Sequence, residues 1–142
     1  MWSLVLGDPF AYAYASLAVP ATLSDGGEAV LKICLPDRES EYEAEALAHW
    51  NGQGAVRLLA HDSERWALLL ERCRPGSHLR ELAPDAALDV IVGLLPRLWI
   101  PAGEPFRPLA DEAERWAPIS PRSGNELGTP LSRNSLKPRS KR

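Results

Sequence analysis

One lysine, Lys32, interrupts an apolar run that extends from Ala29 to Leu35. The run follows the tight-turn sequence Ser24-Asp-Gly-Gly27 and stops at Pro36-Asp37, so its length and its flanks predict a β-strand that begins after a hairpin. A strand this apolar is expected to be buried on both faces, where an unpaired ammonium group is strongly unfavourable. Lys32 therefore needs a negatively charged partner, unless the strand lies at a sheet edge and the lysine side chain extends to water.

A helix with a core-facing carboxylate follows this strand. The helical period of the segment places Glu43, Leu47 and Trp50 on one stripe, at i, i+4 and i+7. Glu45 lies about 200° around the helix from Glu43, because each residue turns the helix by ~100°. Glu43 is therefore favoured over Glu45 as the partner of Lys32.

The other apolar runs and turn signals complete an α+β pattern. Strands are predicted at 2–6, 17–19, 55–60 and 66–71, and helices at 40–50, 84–98 and 108–116. Asp37 is predicted to cap the first helix, and Pro96 to kink the second helix or to mark its last turn. We expect residues 1–72 to form a five-stranded antiparallel sheet with one helix, and residues 73–117 to form a linker and the first helices of a larger lobe.

The C-terminal segment differs from the rest of the chain in charge and composition. Residues 118–142 contain six basic residues against one glutamate, together with four prolines and only four apolar residues. The whole chain carries −3, so this segment has a net charge of +5 and the preceding residues carry −8. Such a segment buries too little apolar surface to offset the entropy lost on ordering, which predicts a disordered tail.

Several classes of protein are excluded or disfavoured by composition. No stretch approaches the roughly 18 apolar residues that a membrane helix needs. Asp8-Pro9 interrupts the N-terminal apolar run and no basic residue precedes it, which disfavours a signal peptide. Two cysteines, Cys34 and Cys73, are too few for a disulfide scaffold or a four-ligand zinc site, and the three histidines lack metal-ligand spacing. The expectation is a cytoplasmic protein with two buried thiols and no membrane partner.

The element order is that of the small lobe of a protein-kinase-like fold, in which a strand lysine binds the ATP phosphates and a helix glutamate holds that lysine. More specifically, the chain resembles the aminoglycoside/hydroxyurea phosphotransferase family, of the streptomycin 6-kinase type. The sequences Gly27-Glu-Ala-Val-Leu-Lys-Ile33 and Leu68-Leu-Leu-Glu-Arg-Cys-Arg-Pro-Gly76 carry the resemblance. Further matching stretches are Trp2–Phe10, Glu43–Leu47, Trp50–Gly52, Gly54–Leu59, Leu94–Trp99 and Phe106–Leu109, and the similarity continues to Trp116.

This resemblance implies transfer of the γ-phosphate of ATP to a hydroxyl group of an antibiotic-like acceptor, an aminoglycoside or hydroxyurea, with ATP and Mg²⁺ as cofactors. The nucleotide-binding residues that it implies are Lys32, Glu43, Ser16, Glu71, Arg72 and Cys73. In this interpretation Lys32 contacts the phosphates and Glu43 pairs with it. Residues 71–73 form the linker whose backbone meets the adenine edge, and Ser16 belongs to the loop that covers the phosphates.

The chain departs from the family pattern in two places. Residues 11–15 contain no glycine where relatives have a glycine-rich stretch, although close backbone approach to phosphate favours glycine. The family's catalytic loop, a His-Gly-Asp run followed by an Asn, and its later metal-binding Asp have no counterpart. No histidine follows His78, and Asp111 is the only aspartate after Asp89. The sequence therefore predicts that the Mg²⁺ ligands are absent and that this chain is inactive alone.

The resemblance is expected to end near Trp116-Ala117, which predicts a truncated or frameshifted gene product. A basic tail of such origin binds nothing in particular, so we expect no nucleic-acid partner. The first helix of the larger lobe carries an apolar stripe that would lack its covering helices, which predicts self-association; the stripe consists of Leu88, Ile91, Val92 and Leu95. Two alternatives stay open: a non-catalytic fragment that binds nucleotide weakly or not at all, and an unrelated small α+β interaction module.

Overall fold

The computed structural model describes residues 2–11 and 15–117. Within these described residues, five strands and three α-helices follow one another, with a short 3₁₀ turn at Leu79–Glu81. They are β1 (Val5–Leu6), β2 (Ser16–Thr22), β3 (Glu28–Cys34), α1 (Glu43–Trp50), β4 (Leu58–Asp62), β5 (Ala67–Glu71), α2 (Pro84–Leu98) and α3 (Leu109–Trp116). The fold class is α+β, as the sequence predicts.

The five strands form one antiparallel sheet in the order β1-β2-β3-β5-β4. Strand β3 lies in the centre, and Lys32 is opposite Ala18 of β2 on one side and Leu68 of β5 on the other. The alternative interpretation, in which Lys32 extends to water from a sheet edge, is therefore wrong. Burial of β3 on both faces is only partly correct, because Ile33, on the face away from Lys32, is 40% exposed.

The turn between β2 and β3 forms where the sequence predicts a hairpin. The Leu23 amide donates to the Gly27 carbonyl oxygen at 2.8 Å, and the Gly27 amide donates to Asp25 Oδ1 at 2.9 Å. Gly26 has φ of +85°, a backbone conformation that glycine adopts without steric cost. This turn sets the register of β3 and therefore the face on which Lys32 lies.

Strand β2 continues past Pro20 to Thr22, whereas the sequence predicted a shorter strand at 17–19. The Pro20 carbonyl oxygen accepts from the Gly7 amide at 2.9 Å, so the side of Pro20 that lacks an N–H faces β1. Because β1 has only two residues, the missing donor interrupts little of the ladder. Proline marked the end of the predicted strand, but this position tolerates it.

Helix α1 begins at Glu43 and not at residue 40. Asp37 Oδ1 accepts a hydrogen bond from the Ser40 amide at 2.7 Å, so Asp37 caps the turn that precedes α1 and not α1 itself. Helix α2 includes Pro96 in its last turn, one of the two outcomes that the sequence predicts.

Small clusters of buried side chains lie on both faces of the sheet. The cluster on the α1 face contains Cys34, Leu47, Leu68 and Leu70, and the one on the opposite face contains Ala21, Ala29 and Leu69. Trp50 and Trp66 pack against the first cluster, and Trp2 packs against the second. The sheet is therefore a two-sided platform, and α1 covers the side that carries Lys32.

The described part of the chain divides into two compact units. Residues up to Phe106 form the first unit, and α3 belongs to the second, which begins at Arg107. The proposed division at 72/73 stays a prediction, and the tail at 118–142 lies outside the described residues. Among residues 2–11 and 15–117, no helix combines the length and the apolar character needed to cross a bilayer.

Candidate functional site

Lys32 and Glu43 form an ion pair between the central strand and α1. Lys32 Nζ donates to Glu43 Oε1 at 2.5 Å, and the two side chains are 25% and 26% exposed. Side chains alternate along a strand, so Lys32 shares the α1 face with Val30 and Cys34. The helix stripe predicted this pairing, and Glu45 is exposed on another face of α1.

The second oxygen of the same carboxylate is also bound. Cys34 Sγ donates to Glu43 Oε2 at 3.3 Å, a distance suited to a sulfur donor. Burial raises the pKa of the Cys34 thiol, and the hydrogen bond to Glu43 and the charge of its carboxylate raise it further. Sequence reasoning missed Cys34, although its position two residues after Lys32 on one strand face was a usable signal.

Helix α1 is held at its C-terminal end by the last residue of α2 and by the chain that follows it. Trp50 Nε1 donates to the Leu98 carbonyl oxygen at 3.1 Å, and His49 Nε2 lies 2.9 Å from the Pro101 carbonyl oxygen. Leu47 is buried against the sheet between these contacts and Glu43. The helix that carries Glu43 is therefore fixed on two sides.

A cleft of about 460 Å³ lies where β5 runs into the linker, and neither Lys32 nor Glu43 is among its lining residues. Its walls are mostly apolar, and its lining includes all three predicted linker residues. The lining residues are Phe10, Ala11, Val30, Val56, Leu70, Glu71, Arg72, Cys73, Pro75, Gly76 and His78. Val30 lies two residues before Lys32 on the same strand face, so the cleft and the ion pair are neighbours along β3.

The linker residues contribute in different ways. Glu71 ends β5, and its Oε1 accepts from the Arg57 amide at 2.7 Å. The Arg72 guanidinium lies 4.8 Å from the centre of the Phe10 ring, and its NH1 nitrogen is buried without a hydrogen-bond partner among the described residues. Cys73 is exposed, so the prediction that both thiols are buried is wrong. Arg72 and Phe10 thus connect the linker with the segment after β1, a contact that no sequence pattern signalled.

An exposed ion pair joins Arg74, the residue after the linker, to Glu28, the first residue of β3. The Arg74 guanidinium binds both carboxylate oxygens of Glu28. The hydrogen bond from Arg74 holds the pKa of Glu28 below its usual range. The pair therefore connects the start of β3 to the chain that follows β5.

The sequence predicted that Ser16 lies in the loop before β2, but Ser16 is the first residue of that strand. It is opposite Cys34 in the β2–β3 register, which places it on the same sheet face as Lys32. Ser16 does not line the cleft. The predicted loop position was wrong because the strand begins earlier than its apolar residues indicate.

Within 2–11 and 15–117, no group of three or more His, Cys, Asp or Glu side chains is arranged to hold a metal ion. The groups present are of the kind that an adenine nucleotide would need: an apolar cleft lined by linker residues and, two residues beyond Val30 on the same face of β3, a lysine.

A central-strand lysine paired with a helix glutamate, beside a linker-lined cleft, defines the small lobe of a kinase-like protein. The chain belongs to the aminoglycoside/hydroxyurea antibiotic resistance kinase family, whose profile matches residues 2–131. The family match extends beyond Ala117, so the expectation that the resemblance ends there is wrong. The basic, proline-containing segment beyond Ala117 has no hydrophobic period, so its residues alone do not signal the similarity.

The chain is similar in sequence to three curated phosphotransferases. It is 41% identical over 116 residues to a hydroxyurea phosphotransferase from Kitasatospora aureofaciens, covering 79% of this chain and 34% of that protein. It is 39% identical over 137 residues to a streptomycin 6-kinase from Streptomyces glaucescens, with 95% and 45% covered. It is 37% identical over 125 residues to a streptomycin 6-kinase from Streptomyces griseus, with 87% and 41% covered.

The chain thus spans less than half the length of these relatives. No solved structure matches the chain significantly.

Proposed function

We propose that this chain is the nucleotide-binding lobe of an ATP-dependent phosphotransferase that acts on a hydroxyl group of an aminoglycoside or of hydroxyurea. The Lys32–Glu43 pair beside the linker-lined cleft is the observation that carries the proposal. The names of the relatives, streptomycin 6-kinase and hydroxyurea phosphotransferase, support the acceptor class. We place the protein in the cytoplasm, where ATP is available.

The cleft would accept the adenine ring. Val30 and Leu70 provide apolar surface on the sheet side, and residues 71–73 run along the rim. In this arrangement the linker backbone recognises the polar edge of adenine, so the path of the chain matters more than the side chains of Glu71, Arg72 and Cys73. A volume of about 460 Å³ is within the range of small-molecule sites.

The phosphates would then extend along β3 toward Lys32. The ammonium group of Lys32 binds the α- and β-phosphate oxygens and positions the γ-phosphate. Glu43 keeps this cation in place when no nucleotide is bound and orients it when one is. Mg²⁺, when bound, would neutralise part of the phosphate charge.

A second candidate is a non-catalytic fragment that binds nucleotide weakly or not at all. The observation that favours it is the sequence itself, which lacks a His-Gly-Asp run and lacks glycine at 11–15. Only the first candidate requires Lys32-dependent nucleotide binding, and only the first candidate allows acceptor-dependent turnover by the whole enzyme.

Calorimetric titration of the purified chain with Mg-ATP tests the proposal. We expect Lys32→Ala to weaken binding by about 10- to 100-fold, the range for a lost charge-assisted hydrogen bond to phosphate. Lys137→Ala is the matched control, since it removes the same charge from the tail and should leave the affinity unchanged. Equal affinities for wild type and a folded Lys32→Ala variant would contradict the proposal.

A further inference from the structure

The Glu43 carboxylate is bound at both oxygens by one strand. Lys32 Nζ contacts Oε1 at 2.5 Å, and Cys34 Sγ donates to Oε2 at 3.3 Å. The two donors are two residues apart on β3 and therefore point to the same face. Oε1 therefore belongs to the predicted ion pair with Lys32, and Oε2 accepts from the Cys34 thiol.

The position of the thiol is fixed by the sheet. Cys34 is 6% exposed and belongs to the buried cluster with Leu47 and Leu68. Its backbone amide donates to the Trp66 carbonyl oxygen at 2.9 Å, and Ser16 lies opposite it in β2. The sulfur therefore has little freedom to move away from Glu43.

Glu43 is the first residue of α1, its side chain is 26% exposed, and a glutamate side chain has several rotatable bonds. With Lys32 as its single partner, the carboxylate could rotate and exchange its two oxygens. A second donor at Oε2 fixes the plane of the carboxylate. The thiol stays protonated at neutral pH because burial and the Glu43 charge raise its pKa, so it acts as a donor.

We propose that Cys34 is a positioning residue for phosphate binding, which holds the Glu43 carboxylate so that Oε1 directs the Lys32 ammonium toward the nucleotide phosphates. This inference rests on the proposed function. Cys34 does not contact the nucleotide itself and acts through Glu43. Because a thiol is a weak donor, its effect is smaller than that of Lys32.

The test compares ATP with adenosine, which lacks phosphates and meets only the cleft. Dissociation constants for both ligands are measured by calorimetric titration for wild type, Cys34→Ser, Cys34→Ala and Cys34→Val. We expect Cys34→Ala and Cys34→Val to weaken ATP binding by about three- to tenfold, with adenosine binding unchanged. Cys34→Ser retains a donor of similar size and should preserve the ratio of the two affinities.

Val19→Ala is the matched control for lost packing. Val19 is 5% exposed and is opposite Leu31 in the β2–β3 register, on the sheet face away from Glu43. Val19→Ala should lower the unfolding midpoint without changing the ratio of ATP to adenosine affinity. Thermal unfolding of each variant confirms that the proteins being titrated are folded.

Three outcomes overturn the inference in distinguishable ways. ATP binding that does not depend on Lys32 removes the proposed function and this inference with it. ATP binding that depends on Lys32 but is unchanged in both Cys34→Ala and Cys34→Val overturns the inference alone. A parallel loss of ATP and adenosine affinity assigns Cys34 to packing and likewise overturns it.

Discussion

The indole Nε1 of Trp50 donates a hydrogen bond to the carbonyl oxygen of Leu98, 3.1 Å away and 48 residues later in the chain. This bond joins the end of α1, the helix that begins with Glu43, to the end of α2. The carboxylate that pairs with Lys32 is therefore supported by chain beyond residue 72. The small-lobe segment and the first helix of the following segment depend on each other at this contact.

Trp50→Phe should destabilise the protein by about 1 kcal/mol, because the Leu98 carbonyl loses its donor while most of the aromatic packing remains. Urea unfolding followed by circular dichroism measures the change. Trp116→Phe is the matched control, since Trp116 is 47% exposed in α3, and it should have a smaller effect. Equal destabilisation by the two substitutions would show that the indole hydrogen bond contributes nothing specific.

The Lys32–Glu43 pair should show a favourable coupling energy of about 1 kcal/mol in a double-mutant cycle with Lys32→Met and Glu43→Gln. Both groups are three-quarters buried, so the solvent screens their attraction less than it screens a surface pair. The cycle is measured by urea unfolding at low and at high salt. The exposed Arg65–Asp62 pair serves as the comparison and should show a smaller coupling that salt abolishes.

Cys34 should contribute a pH-dependent term to stability on the alkaline side. Its pKa is raised in the folded protein, so the native state retains the thiol proton at a pH where the unfolded chain has lost it. This contribution is complete below the unfolded thiol pKa of about 8.5 and is lost as the pH rises through the folded pKa. The free energy of unfolding should therefore fall less steeply above about pH 9 in Cys34→Ser than in wild type. Identical slopes would contradict the assignment.

The exposed apolar stripe of α2 should cause concentration-dependent association. Leu88 and Val92 are each 57% exposed and Ile91 is 42% exposed, and they lie on adjacent turns. Sedimentation velocity over a range of protein concentrations measures the association. The double variant Leu88→Glu/Val92→Glu should stay monomeric, whereas Asp89→Asn, a polar change on the same helix, should not prevent association. A monomeric wild type at all concentrations would rule this out.

Much of the sheet and the Lys32–Glu43 pair could be predicted from the sequence, because both depend on local periodicity. The hairpin at Ser24–Gly27 and the stripe with Glu43 fix which face Lys32 shares with its partner. The helix period alone separates Glu43 from Glu45. No tertiary information is needed for these steps.

Other parts depend on contacts between residues distant in sequence, which a local pattern does not encode. The Arg72–Phe10 stacking and the Trp50–Leu98 hydrogen bond join residues more than 40 positions apart. The extension of β2 through Pro20 depends on the shortness of β1, a property of the neighbouring strand. Cys34 was within reach of sequence reasoning, but a cysteine in an apolar strand is usually an inert core residue.

Finally, the chain alone should not phosphorylate an acceptor. Phosphoryl transfer requires a metal-held triphosphate in line with the acceptor hydroxyl, and an aspartate that orients this hydroxyl. Lys32 supplies part of the phosphate positioning, but no aspartate of the 142 residues follows a His-Gly pair. Loss of general-base assistance alone reduces rates by about 10²- to 10⁴-fold, and loss of metal binding reduces them further.

The assay for this last prediction measures ADP release from Mg-ATP with and without streptomycin or hydroxyurea, using Lys32→Ala as the background control. We expect no acceptor-dependent release above that control, even at ATP concentrations that saturate the binding measured by titration. Acceptor-dependent turnover that Lys32→Ala abolishes would contradict the prediction. Such turnover would require catalytic groups from a second copy of the chain or from other residues of the same chain.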